Sequence, residues 1–295
     1  MHKNVMTFIG CDKEFEESNI VIFGAPFDST TSYRPGARFA SAAIRNESYG
    51  IETYSPYQDK DLEDISVFDA GDLELPFGSP DRALEDIRDF TTKILNAGKL
   101  PLMIGGEHLV TLGAVEAVFE KYPDLHIIHF DAHTDLRDEY LGVEKSHATV
   151  IRRCHDLVGD GRIFQFGIRS GERAEFEWAK SHTYLNKFNF DTLDTVVEQL
   201  KGKPVYFTLD LDVLDPSEFP GTGTPEAGGV RYLELLKAIR QVSKLQVVGL
   251  DMNELSPPYD TSGASTALAC KLLREILLYF DNSSVGQKYM CKLHK

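Results

Sequence analysis

The chain has 295 residues, 42% of them hydrophobic and 26% charged, a balance that supports a sizeable core in a globular fold. Its 31 Lys and Arg against 46 Asp and Glu leave a formal net charge of −15. No basic run offers the stripe needed to displace counterions from phosphate, which excludes nucleic acid as a main partner. A cationic ligand fits better, because negative fields concentrate positive ligands.

In chain order, residues 1–12 carry one lysine and no apolar stretch, and are read as lacking a secretory signal. Short runs rich in Ile, Val and Phe follow at 19–23, 100–104, 125–130, 163–168, 205–211 and 245–250, and read as strands. Helical patterns lie at 81–96, 108–121, 149–157, 193–200, 232–242 and 264–280, with a further helical stretch at 172–180. No apolar run approaches the roughly 20 residues that span a bilayer, so no membrane partner is expected. Strands apolar on nearly every residue imply burial on both faces. Their alternation with helices predicts an α/β fold, a three-layer α/β/α unit around a mainly parallel central sheet. No repeat or linker divides residues 1–295, so a single domain is expected. Cys11, Cys154, Cys270 and Cys291 form no Cys-x-x-Cys pair and read as buried reduced thiols of a cytoplasmic protein.

In such sheets ligands collect beyond the carboxyl ends of the strands, and there the polar residues cluster. The strand at 125–130 runs into His129-Phe130-Asp131-Ala132-His133-Thr134-Asp135. On an extended chain residues two apart point the same way, about 6.6 Å apart, so Asp131, His133 and Asp135 are read as facing one point. Carboxylates gathered there repel and lose solvation unless a cation compensates them; a solvated polar loop is the competing reading. The strand at 205–211 also turns acidic, with Asp210 and Asp212 read as sharing a face. Gly105-Gly106-Glu107-His108 closes the strand at 100–104. Its glycines permit close backbone approach, and His108 is either a ligand or a helix-start residue. These four carboxylates and two imidazoles carry a formal charge that two divalent cations would cancel. Six ligands are too many for one tetrahedral zinc and suit two metals sharing carboxylates, a pair that activates water at neutral pH. Oxygen-rich ligation without thiolate favours manganese, with zinc, cobalt and ferrous iron still open.

Gly105-Gly106-Glu107-His108, Asp131-Ala132-His133-Thr134-Asp135 and Thr208-Leu209-Asp210-Leu211-Asp212-Val213-Leu214-Asp215-Pro216 resemble the three signatures of the ureohydrolases, the family of arginases, agmatinases and their relatives. The likeness continues through 220–229 and spans about 20–280. It implies an arginase-like fold and two Mn2+ ions per subunit. One ion would be held by His108, Asp131, Asp135 and Asp210, the other by Asp131, His133, Asp210 and Asp212. It further implies that Asp135 stabilises the tetrahedral species, that His147 shuttles protons or orients substrate, and that Glu254 grips the guanidinium. On the residues alone, His147 equally reads as a helix-start residue and Glu254 as a surface acid before a proline turn.

Arg34-Pro35-Gly36-Ala37-Arg38-Phe39 and Asn253-Glu254-Leu255-Ser256-Pro257-Pro258-Tyr259-Asp260 resemble agmatinases more than arginases. The substrate so implied is agmatine, hydrolysed to putrescine and urea in polyamine biosynthesis. Asp138, Glu139 and Glu144 outnumber Arg137 and Lys145 across 136–146 and are read as an acidic rim for its free ammonium. Arginase, guanidinobutyrase and formimidoylglutamase activities are the alternatives, then a non-catalytic metal-binding regulatory relative. A two-metal phosphoesterase is disfavoured by the lack of a Gly-rich phosphate loop or an arginine cluster near the ligands. The resemblance also implies a homotrimer or homohexamer. His126, His129, His155 and His182 fit no signature and read as structural or solvent-facing, and Trp178 as packing. The acidic stretches 11–18 and 57–64 read as solvated faces or loops. Leu268, Leu272, Leu273, Ile276 and Leu277 form a stripe expected to pack on the sheet, and the tail 281–295 is expected to be mobile or oligomer-facing.

Overall fold

The structure is a computed structural model that describes residues 6–281; Cys291 and the tail 282–295 lie outside the described residues. Strand β1 (Ile20–Ala25) is followed by α1 (Ala40–Glu47) and a small antiparallel hairpin of β2 (Tyr54–Ser55) and β3 (Lys60–Asp61). Then come β4 (Val67–Asp72), α2 (Pro80–Asn96), β5 (Leu100–Gly105), α3 (Thr111–Lys121), β6 (His126–Phe130) and α4 (Val150–Val158). The chain continues through β7 (Ile163–Ile168), α5 (Arg173–His182), β8 (Tyr184–Lys187) and α6 (Leu193–Gln199). It closes with β9 (Pro204–Asp210), α7 (Tyr232–Val242), β10 (Gln246–Asn253) and α8 (Ala264–Phe280).

Eight strands form one sheet in the order β4-β1-β5-β10-β9-β6-β7-β8, with every neighbouring pair parallel. The period of two along each strand feeds two cores. Ile20, Ile22, Leu102, Ile104, Ile128, Phe130, Val205 and Phe207 face α1, α6, α7 and α8. Val21, Phe23, Met103, Ile127 and Tyr206 face α2, α3, α4 and α5. Both faces are therefore dry, which is why these strands read as unbroken apolar runs. In α8, Leu272, Leu273, Ile276 and Leu277 are buried in the first core, as their stripe predicts.

Four strands, the hairpin pair β2 and β3 together with β4 and β8 of the main sheet, and one helix, α1, lie outside the expected elements. β4 reads Val-Phe-Asp-Ala-Gly-Asp, whose acids disguise it; Asp69 is buried because Arg45 of α1 grips it at 2.9 Å and the Phe8 N–H donates to it at 2.8 Å. β8 is a four-residue edge strand, never fully buried, so no apolar run marks it.

The chain leaves β5, crosses to β6, and later inserts β9 and β10 between the two. The direction in which successive strands are added reverses between β9 and β6, and a crevice opens there beyond the carboxyl ends of the strands. The loops after β5, β6, β9 and β10 all empty into it.

Candidate metal centre and active site

His108 follows β5 after Gly106, where a Cβ would stand 1.9 Å from the Phe27 carbonyl oxygen, so only glycine allows this approach. Asp131, His133 and Asp135 lie in the loop after β6. Asp210 ends β9, Asp212 sits in the 3-10 turn Leu211–Val213, and Glu254 follows β10. All six residues of the expected set converge. His108 Nδ1 lies 3.1 Å from Asp131 Oδ2, 3.2 Å from Asp135 Oδ2 and 3.3 Å from Asp210 Oδ2. His133 Nδ1 lies 3.0 Å from Asp212 Oδ2 and 3.4 Å from Asp131 Oδ1. The two lobes share Asp131, one oxygen to each.

The route to convergence differs from the extended-chain expectation. Asp135 has φ +51°, so the chain turns back rather than running straight. Glu175 brackets that turn, accepting from Thr134 Oγ1 and the Leu136 N–H, while the Ile151 and Arg152 N–H groups both donate to the Asp135 carbonyl at 3.1 Å. Asp212 likewise arrives through its 3-10 turn, its N–H donating to Asp210 Oδ1 at 2.8 Å. Arg169 donates to the carbonyl oxygens of Asp212, Val213, Leu214 and Glu226 and so fixes that loop.

The donor set is built for cations. His108 Nδ1 is buried and makes no hydrogen bond, although three carboxylates surround it. Its other nitrogen is engaged: Nε2 lies 2.8 Å from Thr208 Oγ1, which donates to Asp251 Oδ1 at 2.7 Å. With Thr208 donating onward, Nε2 carries a proton, so Nδ1 is the nitrogen left to take a cation or a second proton among the carboxylates. Burial lowers the proton affinity of both imidazoles, yet the surrounding aspartates reverse this and hold His108 and His133 well above the ordinary histidine value. Burial, together with neighbouring aspartates, pushes Asp135 and Asp210 upward. Each shift expresses a shortage of positive charge, and the cluster suits a binuclear metal site.

Glu254 is only 5% exposed and has φ +65°. Its Oε1 accepts from the His108 N–H at 2.7 Å, and burial followed by the charges of Glu107 and Asp212 pushes its pKa well above the ordinary range. His147 Nε2 lies 3.0 Å from Ser32 Oγ, and burial with the nearby His133 and His108 lowers its pKa to about 4. Its N–H donates to Thr30 Oγ1, which donates to buried Glu107. His147, His133 and Asp135 line a cleft of about 580 Å³. The acids expected at its rim are not the ones found there. Asp138 instead turns to Arg152 and Arg153, and the cleft carboxylates are Asp135, Glu172, Glu175 and Glu226. Of the two cleft guanidiniums, Arg34 stacks 4.1 Å over the Tyr259 ring, and Arg137 pairs with Glu172 and stacks on Tyr140.

Sequence reasoning missed His129, which is buried with Nε2 2.7 Å from Asp131 Oδ2. Gln165 Oε1 accepts from Thr183, so its amide nitrogen faces His129 Nδ1 at 3.1 Å, and the proton of neutral His129 points at Asp131. The two-residue spacing applied to Asp131 and His133 pairs His129 with Asp131 equally well. Glu107, Thr208 and Asp251 were also missed, being ordinary strand-end residues until the loops are folded.

The Arginase family matches residues 18–279. An agmatinase of Bacillus anthracis is 51% identical over 276 residues, covering 92% of this chain and 95% of its own. An agmatinase of Bacillus subtilis strain 168 is 48% identical over 277 residues, with 92% and 96% covered. The crystal structure of the agmatine ureohydrolase of Thermoplasma volcanium superposes with a TM-score of 0.85 at 34% identity, covering 99% of this chain and 97% of that one. The chain belongs to the arginase family, as its motifs lead one to expect.

Proposed function

We propose that the protein is an agmatinase, hydrolysing agmatine to putrescine and urea. The observation that carries this reading is a buried two-lobed Asp/His cluster opening beside a buried glutamate into an acid-rich cleft. The agmatinases at 51% and 48% identity support it. His108, Asp131, Asp135 and Asp210 would hold one metal ion, and Asp131, His133, Asp210 and Asp212 the other, with manganese favoured by the oxygen-rich donors. Bound, two such ions supply Lewis acidity and lower the pKa of water.

The chain's own groups do the rest. Glu254 matches the planar fork of guanidinium donors and gains from their charge the compensation its burial denies it. Glu226, on the cleft wall, favours a substrate tail ending in ammonium over one ending in carboxylate. Water adds to the guanidinium carbon, the carbon–nitrogen bond to the chain amine breaks, and that amine leaves protonated. His147, neutral near pH 7, accepts a proton at the cleft wall and passes it on, with Ser32 and Thr30 fixing its ring and backbone. Asp135 faces the developing tetrahedral carbon from the left-handed turn. The family match over 18–279 supports one ureohydrolase domain, and the resemblance supports a homotrimer or homohexamer. The buried free thiols Cys11, Cys154 and Cys270 support a cytoplasmic setting.

Urea release from agmatine, arginine, 4-guanidinobutyrate and formimidoylglutamate by manganese-loaded protein tests the reading. Agmatine is expected to have the highest kcat/KM, and faster turnover of a carboxylate-bearing substrate overturns it.

A further inference from the structure

At the amino end of β7, on the opposite edge of the sheet from the crevice beyond the strands' carboxyl ends, α4 and α5 both terminate. His155 stands in the last turn of α4 and His182 closes α5. Between α4 and β7 the chain makes the turn Gly159-Asp160-Gly161, with φ +80° and +72° at the glycines, values that suit residues without a Cβ. That turn is pinned to both helices through the histidines' own backbone: the Gly159 N–H donates to the His155 carbonyl at 2.8 Å and the Gly161 N–H to the His182 carbonyl at 3.1 Å. Asp160 is thereby aimed at both rings. His155 Nε2 lies 2.8 Å and His182 Nδ1 2.6 Å from the same oxygen, Asp160 Oδ1.

The rings are held from behind. Trp178 stacks on His182 with centroids 4.1 Å apart and an interplanar angle of 18°, and meets His155 edge-on at 4.6 Å. Arg152 also packs over the indole, its guanidinium carbon 4.0 Å from the ring centroid. Trp178 packs as expected, and its packing sets the planes of two imidazoles whose nitrogens converge.

We propose that His155, Asp160 and His182 form a second divalent-metal site, separate from the catalytic cluster, for an imidazole-preferring ion of the zinc type. Two imidazoles and one carboxylate are a common donor set for such ions and leave a coordination position to water. Ligand atoms around a tetrahedral zinc at ~2.0–2.1 Å stand about 3.3 Å apart, so the observed 2.6 and 2.8 Å separations need only small side-chain movements to admit the ion. Two features favour a cation here. Asp160 contributes one formal negative charge, and the carbonyl ends of two helices converge, each the negative pole of its dipole. Solvent reaches the site: Asp160 is 65% exposed, His182 32% and His155 14%. The ion would staple the C-terminal ends of α4 and α5.

The test uses the full chain saturated with Mn2+ and titrated with Zn2+ by calorimetry, with metal content read by mass spectrometry. Wild type is expected to take one further Zn2+ per subunit without losing Mn2+, to rise in Tm, and to give anomalous density at the zinc edge between the three side chains. His182→Ala and Asp160→Asn should each weaken that uptake by more than about ten-fold, since even groups that only orient a metal ligand are worth that much. Both variants should keep their manganese, their urea release and their zinc-free Tm, which separates lost binding from lost folding. No extra equivalent in wild type, zinc that merely displaces manganese, or undiminished uptake in a His155→Ala/His182→Ala double variant overturns the proposal.

Discussion

The Asp/His cluster in the crevice and the His155–Asp160–His182 cluster use the same side-chain types in opposite environments. Asp131, His108, Asp210 and Asp212 are at most 2% exposed, whereas Asp160 is 65% exposed. In the crevice these four groups are held out of water, so the carboxylates repel one another and draw protons onto His108 and His133. At the helix ends water screens the same chemistry, and hydrogen bonds to Asp160 suffice without an ion. Burial therefore makes cations obligatory in one place and optional in the other.

Substituting the shared carboxylates strains that contrast hardest. Asp131→Asn and Asp210→Asn are expected to lose bound manganese and urea release together, activity falling by about a thousand-fold or more because the whole two-metal device fails. Metal analysis beside kinetics checks this; either variant retaining two ions and near-normal turnover contradicts the shared role. Asp160→Asn, by contrast, should leave activity unchanged and stability within about 0.5 kcal/mol, as an exposed substitution does. His147→Asn comes next: kcat for agmatine should fall by roughly 10²–10⁴-fold, the range of a lost proton-transfer group, with manganese content intact. A drop confined to KM would reduce His147 to a binding residue.

How far the sequence reveals this contrast depends on what carries each part of it. The strands and the metal motifs are legible because a parallel sheet delivers the loops after β5, β6, β9 and β10 to one edge, and acids closing an apolar run on two separate strands outweigh the reading as solvated loops. The means of convergence are not legible: Asp135 and Glu254 adopt positive φ, at +51° and +65°, which a non-glycine residue does not advertise. Nor is Asp69 in β4, whose burial makes sense only once Arg45 of α1 is folded against it. The second cluster is spread over residues 155, 160 and 182, and only the side-by-side ending of α4 and α5 joins it.

Glu254→Gln separates substrate charge from metal charge within the crevice. It keeps an acceptor for the His108 N–H but removes the charge facing the guanidinium, so kcat/KM for agmatine should fall by about 10–100-fold, as for a lost charge-assisted hydrogen bond. Manganese content should stay near two ions per subunit. If the variant emptied the centre, Glu254 would belong with the ligands. Thr208→Val acts one bond further out, removing the partner of His108 Nε2 and leaving Asp251 short of a donor. Metal affinity should drop by about 10–100-fold, read as a rightward shift in the manganese dependence of activity, with kcat recovering at saturation.

The smallest effect tests the electrostatic premise itself, by removing metal and varying pH. In the metal-free protein His108 and His133 have pKa values raised well above normal, and burial raises Glu107 to about 7 despite hydrogen bonds from Thr30 and Thr31. Above pH 6.5 the unfolded chain has given up most of these protons while the folded chain still holds them. The folded state therefore binds more protons than the unfolded one, and stability must fall as pH rises. His147, with its pKa lowered to about 4, pulls the other way only below pH 6.5, where the unfolded imidazole gains its proton. Between pH 6.5 and 8 the metal-free protein should lose on the order of 1–3 kcal/mol, since one pKa unit is worth about 1.4 kcal/mol. Manganese-loaded protein should show the opposite slope at limiting metal, because ions compete with protons for the same ligands and bind more tightly as pH rises. Denaturant melts of both forms at pH 6.5 and 8 read the two slopes directly. A metal-free protein that gained stability over this interval would mean that groups within the protein already compensate the buried carboxylates, and the claim that their burial makes cations obligatory would fail.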